Sequence, residues 1–108
     1  MATYTNTSYV AKNVGTSAST LTTVASATTA AVSSLIVSNT TTSPITTSVY
    51  FTRSAVDYYI VYQATVPVGG SLEVIQGNRV VLIAADALKV INSAATSGDA
   101  IASVLLAA

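Results

Sequence analysis

Ile45-Thr46-Thr47-Ser48-Val49-Tyr50-Phe51-Thr52 alternates apolar and polar residues. In an extended chain Ile45, Val49 and Phe51 share one face, and Thr46, Ser48 and Thr52 the other. A period of two marks a strand with one face buried and one wet. Leu72-Glu73-Val74 and Leu88-Lys89-Val90 repeat the pattern, each with its charged residue outward. The same character extends through short runs at 20–25, 30–39, 45–53, 57–66, 72–76, 79–84, 87–93 and 100–106. Val, Ile, Thr and Tyr dominate these runs, and such side chains suit a pleated, half-buried surface.

Turn residues separate the runs. Asn39-Thr40-Thr41-Thr42-Ser43-Pro44 is polar and ends at a proline that cannot continue a ladder. Pro67 and Gly69-Gly70 break the chain again. Gly77-Asn78 is expected as a tight hairpin, and Ser97-Gly98-Asp99 as the turn of a last one. The Ala-rich stretch 84–96 is the main helical alternative, but Val90-Ile91 and Asn92-Ser93 argue against it. About eight strands at such spacing predict an antiparallel β-sandwich, jelly-roll or Ig-like, over residues 20–108. Residues 1–19 are polar and weakly patterned. They read as an extended N-terminal arm, either frayed or adding a strand to a neighbour.

Composition bounds the function. The 108 residues suffice for one domain, and 51% of them are hydrophobic, enough for a core. Only 7% are charged, four cations against four anions, while seventeen threonines and fourteen serines keep the surface polar. Ordinary domains carry about a quarter charged residues. A neutral surface has little repulsion to hold copies apart, so it suits either a secreted or sugar-coated Thr/Ser-rich protein or a subunit covered by neighbours. Four scattered cations make no phosphate-binding patch, so nucleic acid is not an expected partner. No run of eighteen apolar residues occurs and no signal-type leader is visible, so neither a membrane partner nor export is expected.

Catalytic chemistry is sparse. The chain has no His and no Cys, which removes the commonest general base, the strongest nucleophile and thiolate metal sites. No Gly-x-Ser-x-Gly elbow or phosphate-binding loop is present. Asp57, Asp86 and Asp99 each stand at a turn or strand start, where aspartate commonly accepts backbone N–H groups. No loop has calcium-binding spacing. A non-enzymatic protein without cofactors is therefore expected.

Tyrosine draws the remaining attention. Tyr58-Tyr59-Ile60-Val61-Tyr62 is apolar on both faces, so it reads either as a central strand or as one beneath an interface. Val104-Leu105-Leu106 has the same character. Tyr58, Tyr59 and Tyr62 stand near Asp57 and Gln63, which leaves a sugar-binding reading open beside a packing one. With Tyr4, Tyr9 and Val10 of the arm, these three tyrosines form the candidate interface set.

Several segments, in order, look familiar. They are residues 21–40, Val49-Tyr50-Phe51-Thr52-Arg53, Tyr58-Tyr59-Ile60-Val61, Val66-Pro67-Val68-Gly69-Gly70-Ser71-Leu72, and Val81 through Val90. Over about residues 20–107 the chain resembles small virion structural proteins of tailed bacteriophages, especially phages of cyanobacteria. Ala85 stands where that pattern usually has Gly, and Ala25-Ser26 replaces Pro-Ala. The resemblance implies a virion-located capsid decoration or cement subunit, homo-oligomeric and bound to the major capsid protein. Its alternatives are a tail, neck or baseplate accessory protein, or a tyrosine-lined carbohydrate- or receptor-binding module.

Overall fold

The runs of β-branched residues become strands in a computed structural model that describes residues 3–75 and 79–108. The strands are β1 (Tyr4–Val14), β2 (Ser19–Thr23), β3 (Thr29–Asn39), β4 (Ile45–Arg53), β5 (Val56–Val66), β6 (Ser71–Glu73), β7 (Val80–Leu82), β8 (Ala87–Asn92) and β9 (Gly98–Ala107). One sheet runs β1-β9-β3-β6, with β7 also on β3; the other runs β2-β8-β4-β5. Every pairing is antiparallel. The pairs nest: β4 with β5, β3 with β6 and β7, β2 with β8, β1 with β9. One long hairpin wrapped across two sheets gives this order, so the sandwich is a jelly roll rather than Ig-like.

The core is a single layer between the sheets. Val32, Leu35, Val37, Ala100 and Ala102 from one sheet meet Val49, Leu88 and Val90 from the other, all fully buried. Ile45 and Val49 face inward as the alternation predicts, with Phe51 packed at the margin of the layer. The stretch 84–96 holds β8, whose burial alternates residue by residue, rather than a helix.

Three local expectations are corrected, and a fourth falls outside the described residues. The expected arm over 1–19 is not separate in its described part: β1 pairs with this chain's own β9 from Tyr4↔Ala107 to Val14↔Gly98, and Val14 is buried in the core. Its pattern is hard to read because Thr5 and Thr7 occupy inward positions at the sheet's end, and a bulge between Ala11 and Val14 shifts the alternation. Gly77-Asn78 lies outside the described residues, but β6 and β7 do not pair with each other. Both lie along one edge of β3, at Ile36–Ser38 and Ala30–Val32. Ser97-Gly98-Asp99 joins strands of opposite sheets instead of closing a hairpin. Lastly, β5 is the edge of its sheet, not a central strand, and its tyrosines are exposed.

The β4–β5 turn is the one two-residue hairpin among the described residues. Ser54 and Ala55 both take positive φ, 52° and 62°, as a type I′ turn demands. Asn-Gly is the usual solution, so this turn gave no sequence signal. Gly98 answers a different need: a Cβ there would run into the Ser38 carbonyl oxygen of the neighbouring strand.

Two substitutions test this frame by urea unfolding. Ala55→Gly removes the left-handed strain and is expected to stabilise by about 0.5–1 kcal/mol. Gly98→Ala meets backbone rather than a flexible side chain, so it is expected to cost about 3 kcal/mol or more. A neutral Gly98→Ala would contradict the β3–β9 register.

Candidate functional site

Bulges decide which tyrosines share a face. Val49 pairs with Val61 and Tyr50 with Tyr59, so Ile60 is an extra residue on β5. Ile60 and Val61 both pack against the core in consequence. The parity shift brings Tyr59 and Tyr62, three apart, onto the same outward face. A second bulge follows, where Tyr62 and Gln63 together oppose Ser48. Gln63 has φ 51°, and its backbone N–H donates to Ser48 Oγ at 2.9 Å.

Three rings then line up on the outside of the four-stranded sheet. Tyr50 and Tyr59 have centroids 5.0 Å apart, tilted by 42°. Tyr59 and Tyr62 are 5.0 Å apart and nearly perpendicular, at 85°. Such tilted and edge-to-face pairs match the ring quadrupoles. Tyr50 lies beneath its neighbours, and burial, helped by Asp57 and Tyr59, holds its hydroxyl pKa above the ordinary value. Tyr59 and Tyr62 remain 49% and 65% exposed. Beside them is a shallow cavity of about 250 Å³, lined also by Thr46, Ser48, Gln63 and Ile91.

Tyr58 does not belong to this cluster. It points to the opposite face, where its ring stacks on Phe51 at 5.4 Å and 21°. The Arg53 guanidinium lies 5.2 Å over the same Phe51 ring and pairs with Asp86. Arg53 Nε donates to both carboxylate oxygens of Asp86 at 2.9 and 3.1 Å, and Nη2 to Oδ2 at 2.6 Å. The Ile83 N–H also donates to Asp86, which is 1% exposed. This fork ties the β7–β8 loop to the end of β4. It also holds the Asp86 carboxyl below the usual aspartate range, the Arg53 hydrogen bond being the largest cause. Asp99 is lowered as well, first by the Asn13 N–H at 3.1 Å and then by Lys12. Asp57 accepts the Thr52 hydroxyl across the hairpin at 2.7 Å. Asp86 and Asp99 thus accept backbone N–H groups as expected, whereas Asp57 accepts a side chain. Among the described residues no three acidic, His or Cys side chains come together.

The N-terminal candidates sit on the other sheet. Tyr9 faces inward and packs against the core, while Tyr4 and Val10 face out. Val10 pairs with Ile101, and Ile101 with Ile36. The three therefore form an exposed apolar row across β1, β9 and β3, with exposures of 70, 48 and 39%. The next outward row is Ser8, Ser103 and Ser34. Sequence reasoning missed Ile36, Ile101 and Tyr50, because only register places them beside the residues it chose.

No family model matches the chain, and no curated protein matches its sequence. Among solved structures, a Bacillus endospore appendage protein from a family of disulfide-linked pili superposes with a TM-score of 0.54 at 12% identity. The match covers 98% of this chain and 86% of that one. At that identity the likeness concerns the fold: two antiparallel sheets packed face to face.

The charge pattern fixes a pH profile, checked by circular dichroism melts. Folding holds Asp86 and Asp99 below their usual 3.8, so in acid the folded chain binds fewer protons than the unfolded one. Their contribution is present above about pH 4 and is lost as pH falls through the lower folded values. Tyr50 acts oppositely: its contribution is present below about pH 10 and is lost as pH rises above it. With no histidine, the expected profile is flat between. Asp86→Asn is expected to cost about 1–3 kcal/mol at neutral pH and to make the acid limb shallower. An unchanged acid limb in that variant would show the Arg53 fork to be unimportant.

Proposed function

We propose that this chain is a non-enzymatic structural subunit that works in many copies on a larger assembly, most specifically as a decoration or cement protein on a virion. The row Val10–Ile101–Ile36 carries this reading. It is exposed and apolar, it stands in register across three strands, and it ends on the free edge strand β1. Apolar side chains in such a row gain by burial against a partner. An 11-residue edge offers unpaired backbone groups to the same partner. The chain's zero net charge adds no repulsion between neighbours.

The likeness of the fold to a subunit of assembled appendages supports the assembly class. The pili of that neighbour are disulfide-linked, whereas this chain has no cysteine. Any assembly through it must therefore hold without disulfides, and apolar contact and hydrogen bonds are the forces this surface offers most. Each contact is weak alone and is reinforced when many copies bind one lattice. The resemblance to phage virion proteins supports a particle component, on the capsid surface first and at the tail, neck or baseplate second, with major capsid protein or tail components and sister copies as partners.

Ile101→Lys and Val10→Lys test the reading. Both side chains are exposed, so folding stability should move by no more than about 0.5 kcal/mol. Incorporation into particles, measured by quantitative mass spectrometry of purified virions, is expected to fall at least about tenfold, since a buried lysine is costly. The unmodified chain should stay on particles in 1 M salt, where ionic attachment is screened within about 3 Å. Shedding at high salt with retention at low salt would overturn the apolar attachment.

A further inference from the structure

The outward face of the four-stranded sheet, opposite the proposed attachment face, has a chemistry of its own. We infer that the cavity beside Tyr59 and Tyr62 is a binding site for one ring of an uncharged saccharide. Three observations carry this. First, the perpendicular rings form a corner, one a floor and the other a wall, and both are about half exposed. The C–H face of a pyranose is apolar while its rim carries hydroxyls, so it suits an aromatic surface bordered by polar groups. Second, the border is polar and neutral: the Thr46, Ser48 and Ser93 hydroxyls and the Gln63 amide, with no Asp, Glu, Lys or Arg among the lining residues. Ser48 Oγ already accepts the Gln63 N–H, which leaves its own hydroxyl hydrogen free to donate. A neutral lining offers no cation to offset the charge of a carboxylate or sulfate. At about 250 Å³ the cavity lies just below the usual range for ligand sites, which fits a single ring rather than a long chain.

Third, the backbone is strained where the site needs it. Gln63 holds φ 51° at the bulge, a conformation in which glycine would relieve the strain. Bulges beside sites redirect side chains, and strained residues cluster where a side chain is used. Here the bulge sets Tyr62 and Gln63 together against the single residue Ser48, and Gln63 Nε2 lies 3.5 Å from the Tyr62 hydroxyl.

The test is a titration of the full, isotopically labelled chain by ¹H–¹⁵N NMR with glucose, galactose, mannose and N-acetylglucosamine. N-acetylneuraminic acid serves as the charged comparator. At least one neutral sugar is expected to give saturable shifts at the amides of Ser48, Tyr59, Gln63 and Ser93, with Kd on the order of 1 mM. Tyr62→Ala should weaken binding about tenfold without moving the thermal midpoint. Gln63→Gly should raise the midpoint yet weaken binding about threefold, a combination that a purely structural role for Gln63 does not produce. No saturable shift from any neutral sugar at about 100 mM overturns the inference, 100 mM being some hundredfold above that Kd. So does equal affinity for the acidic sugar, or binding untouched by both variants. The titration uses the free chain, so its failure leaves the attachment reading standing, and loss of attachment leaves the titration unaffected.

Discussion

The contact on which the rest of this domain depends is a layer of branched aliphatic side chains, one residue deep, between two sheets. Disulfides are impossible without cysteine, and the ion pairs among the described residues are Arg53–Asp86 and Lys12–Asp99. Burial of Leu35, Val32 and Val37 against Leu88, Val49 and Val90 must therefore supply most of the stability. β9 supplies small residues, Ala100 and Ala102, at the middle of its sheet, and Gly98 where β9 comes hard against β3. Small side chains there let the larger ones of neighbouring strands fill the layer without overpacking. Nested pairing has a kinetic corollary. The outermost pair joins β1 to β9, near opposite ends of the chain, so folding must close its longest loops for its last contacts, and slow folding is the expected regime.

Strands were legible in the sequence because alternation and β-branched content are local properties. Runs read at 30–39, 45–53, 57–66 and 87–93 became β3, β4, β5 and β8 within a residue or two. Pairing was not legible, and neither was parity beyond a bulge. Ala30 and Val32 are buried two apart, but Val32 and Leu35 are three apart, because β3 carries an irregularity between Val32 and Ser34. A strict period of two cannot express that offset. The same cause misplaced the tyrosines. Tyr58, Tyr59 and Tyr62 looked like one patch, yet only Tyr59 and Tyr62 share a face, and their third partner is Tyr50 from the adjacent strand.

Turns followed a related logic. Glycine, proline and asparagine announced some breaks: Gly69 takes φ 67° and Asn39 ties the β3–β4 loop to the Val66 carbonyl. Other left-handed positions are held by residues that announce nothing, among them Ala27, Ser54, Ala55 and Ala85. Ala85, at φ 73°, sits where glycine would be free of strain. The chain spends some stability on these alanines, and the aliphatic layer tolerates it.

An asymmetry between the two outward faces follows from where the polar and aromatic residues fall in register. The five-stranded sheet shows an aliphatic row between a serine row and the Lys12–Asp99 pair, with no aromatic cluster, an apolar strip suited to burial against a partner. The four-stranded sheet sets Tyr59 and Tyr62, with Tyr50 packed behind Tyr59, beside a notch edged with hydroxyls and an amide, a shape that a flat partner would leave half empty. Void space beneath a protein partner forfeits dispersion contacts, whereas a small polar ring can fill it. Under the proposed attachment, burying the first face would leave the second turned outward. One short jelly roll can in this way separate holding on from reaching out, with the aliphatic layer insulating the two faces from each other.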